Sequence, residues 1–206
     1  LFAEWPPVPA AILAFTPILK RLMKSLQVVP AAALAMLLAL SATAQAQKTT
    51  QLPAGGGGSS HVKSEWIAGG ANMSITYGRP SLKGRPEAQM MPSGKLWRTG
   101  ADVASILTTD KTLTVGAVTL EPGSYTINTE PGATEWKLVL GKLGSADQWG
   151  IPYKPELELG RATMTLSKNA TSVEMLTFAV DPSATGGTLH IKWGTKNASV
   201  PFIVVK

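Results

Sequence analysis

Apolar residues recur at every second position, in run after run, through residues 61 to 206 of this chain. Met73, Ile75 and Tyr77 alternate with Asn72, Ser74 and Thr76; Leu113 and Val115 alternate with Thr112 and Thr114; Trp136, Leu138 and Leu140 alternate with Lys137 and Val139. The rhythm continues through Met164 and Leu166, Leu176 to Val180, Leu189 to Trp193 and Val200 to Val204. Successive side chains on a strand point to opposite faces, so a period of two describes strands with one face buried. Turn-forming groups separate the runs: Glu121-Pro122-Gly123, Glu130-Pro131-Gly132, Ser167-Lys168-Asn169, Asp181-Pro182-Ser183 and Gly186-Gly187. This spacing predicts about ten strands and little helix, since no segment keeps an i, i+3, i+4, i+7 pattern over three turns. Strands in that number are most economically housed in two packed layers, so the expected fold is all-β, a two-layer jelly-roll-like sandwich.

The rest of the chain reads differently. Residues 23–46 have the three parts of a secretory signal peptide: a basic start at Met23-Lys24, an apolar stretch from Val28 to Leu40, and an A-x-A site at Ala44-Gln45-Ala46. Residues 1–22 open on Leu1 and carry Pro6, Pro7, Pro9 and Pro17, which suits a translated leader or fragment-boundary artefact better than a helix. The alternative, a membrane anchor around Ala31 to Leu40, falls short of the roughly 18 residues a span needs. Cleavage after Ala46 should release a protein beginning at Gln47, with no stable membrane span left. N-terminal sequencing of the exported protein checks this, and retention of Met23 to Ala46 in a membrane would overturn it. The chain has no cysteine, so neither a disulfide nor a lipid on cysteine is available, and the expected location is the bacterial periplasm or the exterior. Residues 47–60 end in Gly55-Gly56-Gly57-Gly58-Ser59-Ser60 and read as a flexible linker, which would start the folded domain, 61–206, near His61.

Charge excludes some functions. Without residues 1–46 the chain has 16 Lys+Arg and 12 Asp+Glu, net +4, too mild and too dispersed for a nucleic-acid binder. The two histidines, His61 and His190, read as surface residues; no convergent set of metal ligands, no G-x-S-x-G elbow and no cofactor motif appears, so neither metal nor cofactor is expected. Glu156 and Glu158 would share a strand face if that segment is extended, the arrangement of paired acids in glycoside hydrolysis. A solvated strand edge, neutralised by Lys154 and Arg161, explains the same pair. Asp102 is the other candidate acid.

One cluster stands out. Arg79, Lys83, Arg85, Lys95 and Arg98 fall within 20 residues, with Glu87 the sole acid among them, and most lie on the longest stretch without alternation, Pro80 to Lys95. Arginine's planar fork suits carboxylate, phosphate or sulfate, and the indole of Trp97 could stack on a sugar or ring. The competing structural reading has Arg79 and Arg85 tying down their own loop, with Asp102 or Glu87 as ion-pair partners. Neighbours on a strand face opposite ways, so only one of Trp97 and Arg98 is expected at any single pocket. Trp66, Trp136, Trp149 and Trp193 are expected in the core or at its rim.

The run Tyr77-Gly-Arg-Pro-Ser-Leu-Lys-Gly-Arg-Pro86, with Gly94-Lys-Leu-Trp-Arg-Thr-Gly-Ala101, Leu120-Glu-Pro-Gly-Ser-Tyr-Thr-Ile127 and Glu130-Pro-Gly132, resembles the bacterial family called domain of unknown function 2911. The likeness spans roughly residues 62 to 205 and is most specific at Trp97 to Ala101 combined with Arg79 to Arg85. It implies an all-β secreted domain and supplies no activity. The chain departs from the family pattern at Asp102-Val103, in place of Asn-Glu, and at Pro92-Ser93-Gly94, in place of Pro-Tyr-Gly.

The expected function is a non-catalytic secreted or envelope module binding a small anion or carbohydrate through Arg79, Lys83, Arg85, Trp97 and Arg98. One alternative is a hydrolase or isomerase on a small polar or carbohydrate substrate, using Asp102 or the Glu156/Glu158 pair. Another is a self-assembling envelope protein that pairs through a sheet edge.

Overall fold

A computed structural model describes residues 47–145, 148–151 and 153–206. The expected leader, 1–22, and signal peptide, 23–46, lie outside the described residues. Ten strands follow in chain order: β1 (Lys48–Leu52), β2 (Ser60–Ala68), β3 (Ala71–Arg79), β4 (Ser105–Thr109), β5 (Leu113–Val115), β6 (Val118–Leu120), β7 (Gly123–Glu130), β8 (Glu135–Lys142), β9 (Glu158–Ser183) and β10 (Gly186–Val204). A one-turn helix, α1 (Glu87–Met90), and a 3-10 turn, Pro155–Leu157, are the described helical pieces. The fold is all-β, as the alternation predicts. All ten strands join one antiparallel sheet in the order β1-β2-β3-β4-β7-β8-β9-β10-β5-β6.

The alternating residues fill the core. Ile75 and Tyr77 of β3, Leu138 and Leu140 of β8, Leu176 and Phe178 of β9 and Trp193 of β10 are fully buried. The sheet curls so that distant strands meet through side chains: the Tyr77 ring packs edge-on to Phe178, with centroids 4.7 Å apart, and its hydroxyl accepts the Phe178 amide at 3.3 Å. Beyond β3 the chain also pairs directly with β9, through Leu176 N to Pro80 O and Leu82 N to Glu174 O, each 3.0 Å. That contact anchors the start of the Pro80–Lys95 loop on the middle of β9.

Two expectations need correction. Ser167-Lys168-Asn169 is not a chain reversal, because β9 runs through it to Ser183. The polar residues mark an irregularity instead: register shifts flank Gly194, and Asn169 Nδ2 donates to the Gly194 and Lys196 carbonyls of the partner strand at 2.9 and 2.8 Å. A bulge of this kind bends a strand and re-aims its side chains. Here it brings Glu174 and Met175 to the loop after β3.

The second correction concerns residues 47–60, which are not a linker throughout. Lys48 to Leu52 pair residue for residue with Glu65 to His61 of β2, and the Gln47 amide donates to Ser64 and to the Phe178 carbonyl, both at 3.3 Å. Since Lys48 to Gln51 are exposed, this edge strand has no apolar period to betray it. Deleting residues 47–54 should therefore lower the thermal midpoint by roughly 3–6 °C, the shift that a loss of 1–2 kcal/mol produces in a domain of this size. A true linker would leave the midpoint unchanged.

Candidate functional site

Two loop segments build the site. In the first, Leu82-Lys83-Gly84-Arg85 forms a tight turn closed by Arg85 N to Leu82 O at 3.0 Å, with Lys83 and Gly84 at φ +50° and +72°. Glu174 of β9 fastens this turn by accepting the Ser81 hydroxyl and the Lys83 amide, the latter at 2.8 Å. In the second, Trp97 exchanges backbone hydrogen bonds with Thr129 of β7 at 2.7 and 2.9 Å. The buried Thr99, at φ +52°, then turns the chain; its hydroxyl meets that of Thr129 at 2.9 Å, and its carbonyl accepts from Ser105 Oγ at 2.8 Å. Asp102 follows at φ +62°.

Between these segments lies an open cleft of about 1070 Å³, and all five predicted binding residues, Arg79, Lys83, Arg85, Trp97 and Arg98, line it. Met90, Leu96 and Met175 add apolar surface over the buried Trp193, and Gly57 and Gly58 of the glycine run also line the cleft, as does Asp102. Backbone carbonyls orient the guanidinium groups. Arg79 donates from Nε to Leu176 O and from Nη2 to Thr177 Oγ1, both at 3.0 Å; Arg85 donates to Leu82 O at 3.0 Å and Ser81 O at 2.6 Å; Arg98 Nε donates to Gly100 O at 3.2 Å. Arg85 thus ties down its own loop, as the structural reading supposed. The ion pairs of that reading do not form: Asp102 pairs with His61, and Glu87 accepts from Thr195 N at 2.6 Å and Thr195 Oγ1 at 3.0 Å. Among the described residues, no carboxylate lies within 4.0 Å of the cationic groups of Arg79, Lys83, Arg85 or Arg98.

Several placements differ from the expectations. Trp97 and Arg98 both line the cleft, because this stretch is not a regular strand: a single bridge holds Trp97 and the chain turns at Thr99. Trp97 stacks on Trp193 with centroids 5.5 Å apart and planes inclined by 13°. His61 is not a surface residue but is buried, with Nε2 2.9 Å from Asp102 Oδ2. His190 is also largely covered, its Nδ1 3.1 Å from Asn197 Oδ1. Trp149 is exposed, while Trp66, Trp136 and Trp193 are buried as expected. Lys95 is exposed and does not line the cleft.

Glu156 and Glu158 do not form a pair of acids on one strand face. Pro155 opens a 3-10 turn that holds Glu156, and β9 begins only at Glu158. Glu158 accepts Arg161 Nε and Nη2 at 2.8 and 3.0 Å and the Tyr153 hydroxyl, while Arg161 Nη1 reaches Glu130 at 2.8 Å. The Arg161 bonds hold the Glu158 carboxyl below the usual range, and burial, then the hydrogen bond to Glu158 and its charge, push the Tyr153 phenol up to about 12. Neither glutamate lines the cleft.

The glycine run, His61 and Glu174 escaped the sequence reading. A Cβ on Gly55 or Gly57 would collide with the Asp102 carboxylate, so these glycines serve a close approach of backbone to a buried acid. Glu174 is held below its usual value of 4.5 by the Ser81 hydroxyl first, then by the Lys83 amide, with the Arg85 and Lys83 charges adding and burial opposing. A lowered carboxylate contributes fully above 4.5, and its contribution is lost as pH falls through the lowered value. The Lys83 amide resonance should therefore titrate below pH 4.5 and cease to do so in Glu174→Gln. A transition above 4.5, or one surviving in the variant, would contradict this tether.

An all-β domain that presents a cationic, tryptophan-lined cleft at its loop edge is the class these observations define. The family described as Protein of unknown function (DUF2911) matches residues 59–202, and the chain belongs to it. All five cleft residues predicted from the sequence lie within the match. No curated protein and no solved structure matches the chain.

Proposed function

We propose that this chain is a secreted or periplasmic binding module whose cleft holds a small anionic ligand, a molecule or glycan bearing a carboxylate, phosphate or sulfate. The observation that carries this reading is the set of four cations lining one cleft, none of them within 4.0 Å of a carboxylate among the described residues. Like charges gathered in this way repel one another, and a bound anion relieves the repulsion. The arginines are oriented by backbone carbonyls before any ligand arrives, so little ordering entropy remains to oppose binding. Trp97, half-buried and backed by the buried Trp193, offers an apolar surface for the body of the ligand.

Thermal unfolding with inorganic phosphate, sulfate and sugar acids at millimolar concentration tests this reading. A ligand at a hundred times its Kd adds about 2.7 kcal/mol, which moves the midpoint by roughly 5–10 °C. The shift should shrink as sodium chloride rises and should vanish in Lys83→Gln/Arg98→Met, which removes two charges without touching the bonds of Arg79 and Arg85. If none of these anions shifts the wild-type midpoint, the reading fails.

A further inference from the structure

A carboxylate in this cationic cleft works against the binding of a bare anion, yet Asp102 is held there by several independent features. It is 6% exposed and sits at φ +62°, in the left-handed region that non-glycine residues seldom adopt. The non-glycine residues with positive φ among those described are Lys83, Thr99 and Asp102; two line the cleft, and Thr99 adjoins Arg98, which does. Asp102 Oδ2 is fixed at 2.9 Å from Nε2 of His61, itself 7% exposed. Its other oxygen, Oδ1, has no hydrogen-bond partner among the described residues. Oδ1 faces Gly57, where a Cβ would strike it, and Gly57 lines the cleft.

Oδ1 is not among the buried side-chain atoms that lack a partner, so it meets solvent in the cleft, and a carboxylate oxygen with lone pairs open there can accept a donor that a ligand brings. The donor must be neutral, because the cations of the cleft repel an ammonium group. The Arg98 stem and the Asp102 backbone carbonyl both lie against Gly150, and both residues line the same cleft. Resting on the anion-binding reading above, we propose that Asp102 accepts a hydrogen bond from a ligand hydroxyl, so that the cleft selects a polyhydroxylated anion, a sugar acid or sugar phosphate, over a bare one. His61 is a positioning residue that fixes the carboxylate without meeting the ligand.

Titration calorimetry on the full chain tests this with three probes: glucuronate, cyclohexanecarboxylate, which has the same charge and ring size without hydroxyls, and inorganic phosphate. Wild type should bind glucuronate at least about tenfold more tightly than cyclohexanecarboxylate, the gain typical of a hydrogen bond to a charged group. Asp102→Asn keeps the shape and tolerates positive φ; it should lose most of that preference while binding phosphate as well as wild type or better. His61→Gln should lower the glucuronate-to-phosphate affinity ratio without weakening phosphate. Equal affinity of wild type for glucuronate and cyclohexanecarboxylate overturns the hydroxyl acceptor and leaves anion binding standing, and this comparison decides even if the variants fail to fold. A preference that survives in Asp102→Asn also overturns it. If no probe binds, the anion-binding reading falls and takes this inference with it.

Discussion

Replacing Trp193 with alanine should cost about 3–5 kcal/mol of stability, the usual price of emptying a large aromatic from a core. Trp193 is 1% exposed; it stacks on Trp97, which in turn packs edge-on to Trp136 with centroids 6.2 Å apart. Its indole Nε1 also donates to the Glu174 carbonyl at 3.0 Å, inside the irregular stretch of β9 that holds the loop after β3. One side chain thus joins the core to the cleft. Trp193→Phe keeps a ring for the stack and loses the hydrogen bond, so it should cost less than alanine, by an amount that still includes about 1 kcal/mol for the bond. Urea denaturation of the three proteins gives the comparison. A loss below 1 kcal/mol for the alanine variant would mean that the tryptophan stack does not support the site.

The second large effect is expected at His61. Alanine there removes the donor of a buried carboxylate, a hydrogen bond worth roughly 1.5–3 kcal/mol, and opens a hole beside the glycine run. Asp102→Asn on the same background should recover part of the loss, because a neutral amide is cheaper to bury unpaired than a carboxylate. A double-mutant cycle measured by chemical denaturation should give a coupling of about 1–3 kcal/mol between the two positions. Strict additivity would show that the 2.9 Å contact contributes nothing beyond its parts.

Much of this was legible in the sequence, for reasons that can be named. Period-two alternation marked β3, β8 and β10 because each buries one face, and arginine and tryptophan density marked the cleft because the cations that line it, with Trp97, fall between Arg79 and Arg98. The same signal passed over β1, whose Lys-Thr-Thr-Gln stretch is exposed. It also misread Ser167-Lys168-Asn169, where polar side chains bond the partner strand across an irregularity instead of reversing the chain. The Glu156/Glu158 pairing assumed an extended segment, and Pro155 starts a 3-10 turn there. Least legible was the His61–Asp102 pair: it spans 41 positions, and it exists only because glycines let the main chain pass against the carboxylate. A glycine-rich run looks alike whether it is a tether or a lining.

The proposed anion site joins the loop after β3 to the segment from Trp97 to Asp102. Amide chemical-shift mapping of the full chain during a titration with inorganic phosphate tests it most directly. Saturable shifts should concentrate at residues 79–85 and 96–102, with a smaller response at Gly57 and Gly58, all reduced in Lys83→Gln/Arg98→Met. Shifts centred instead on the groove lined by Lys48, Lys63 and Asn72, or no saturable shift anywhere, would contradict it.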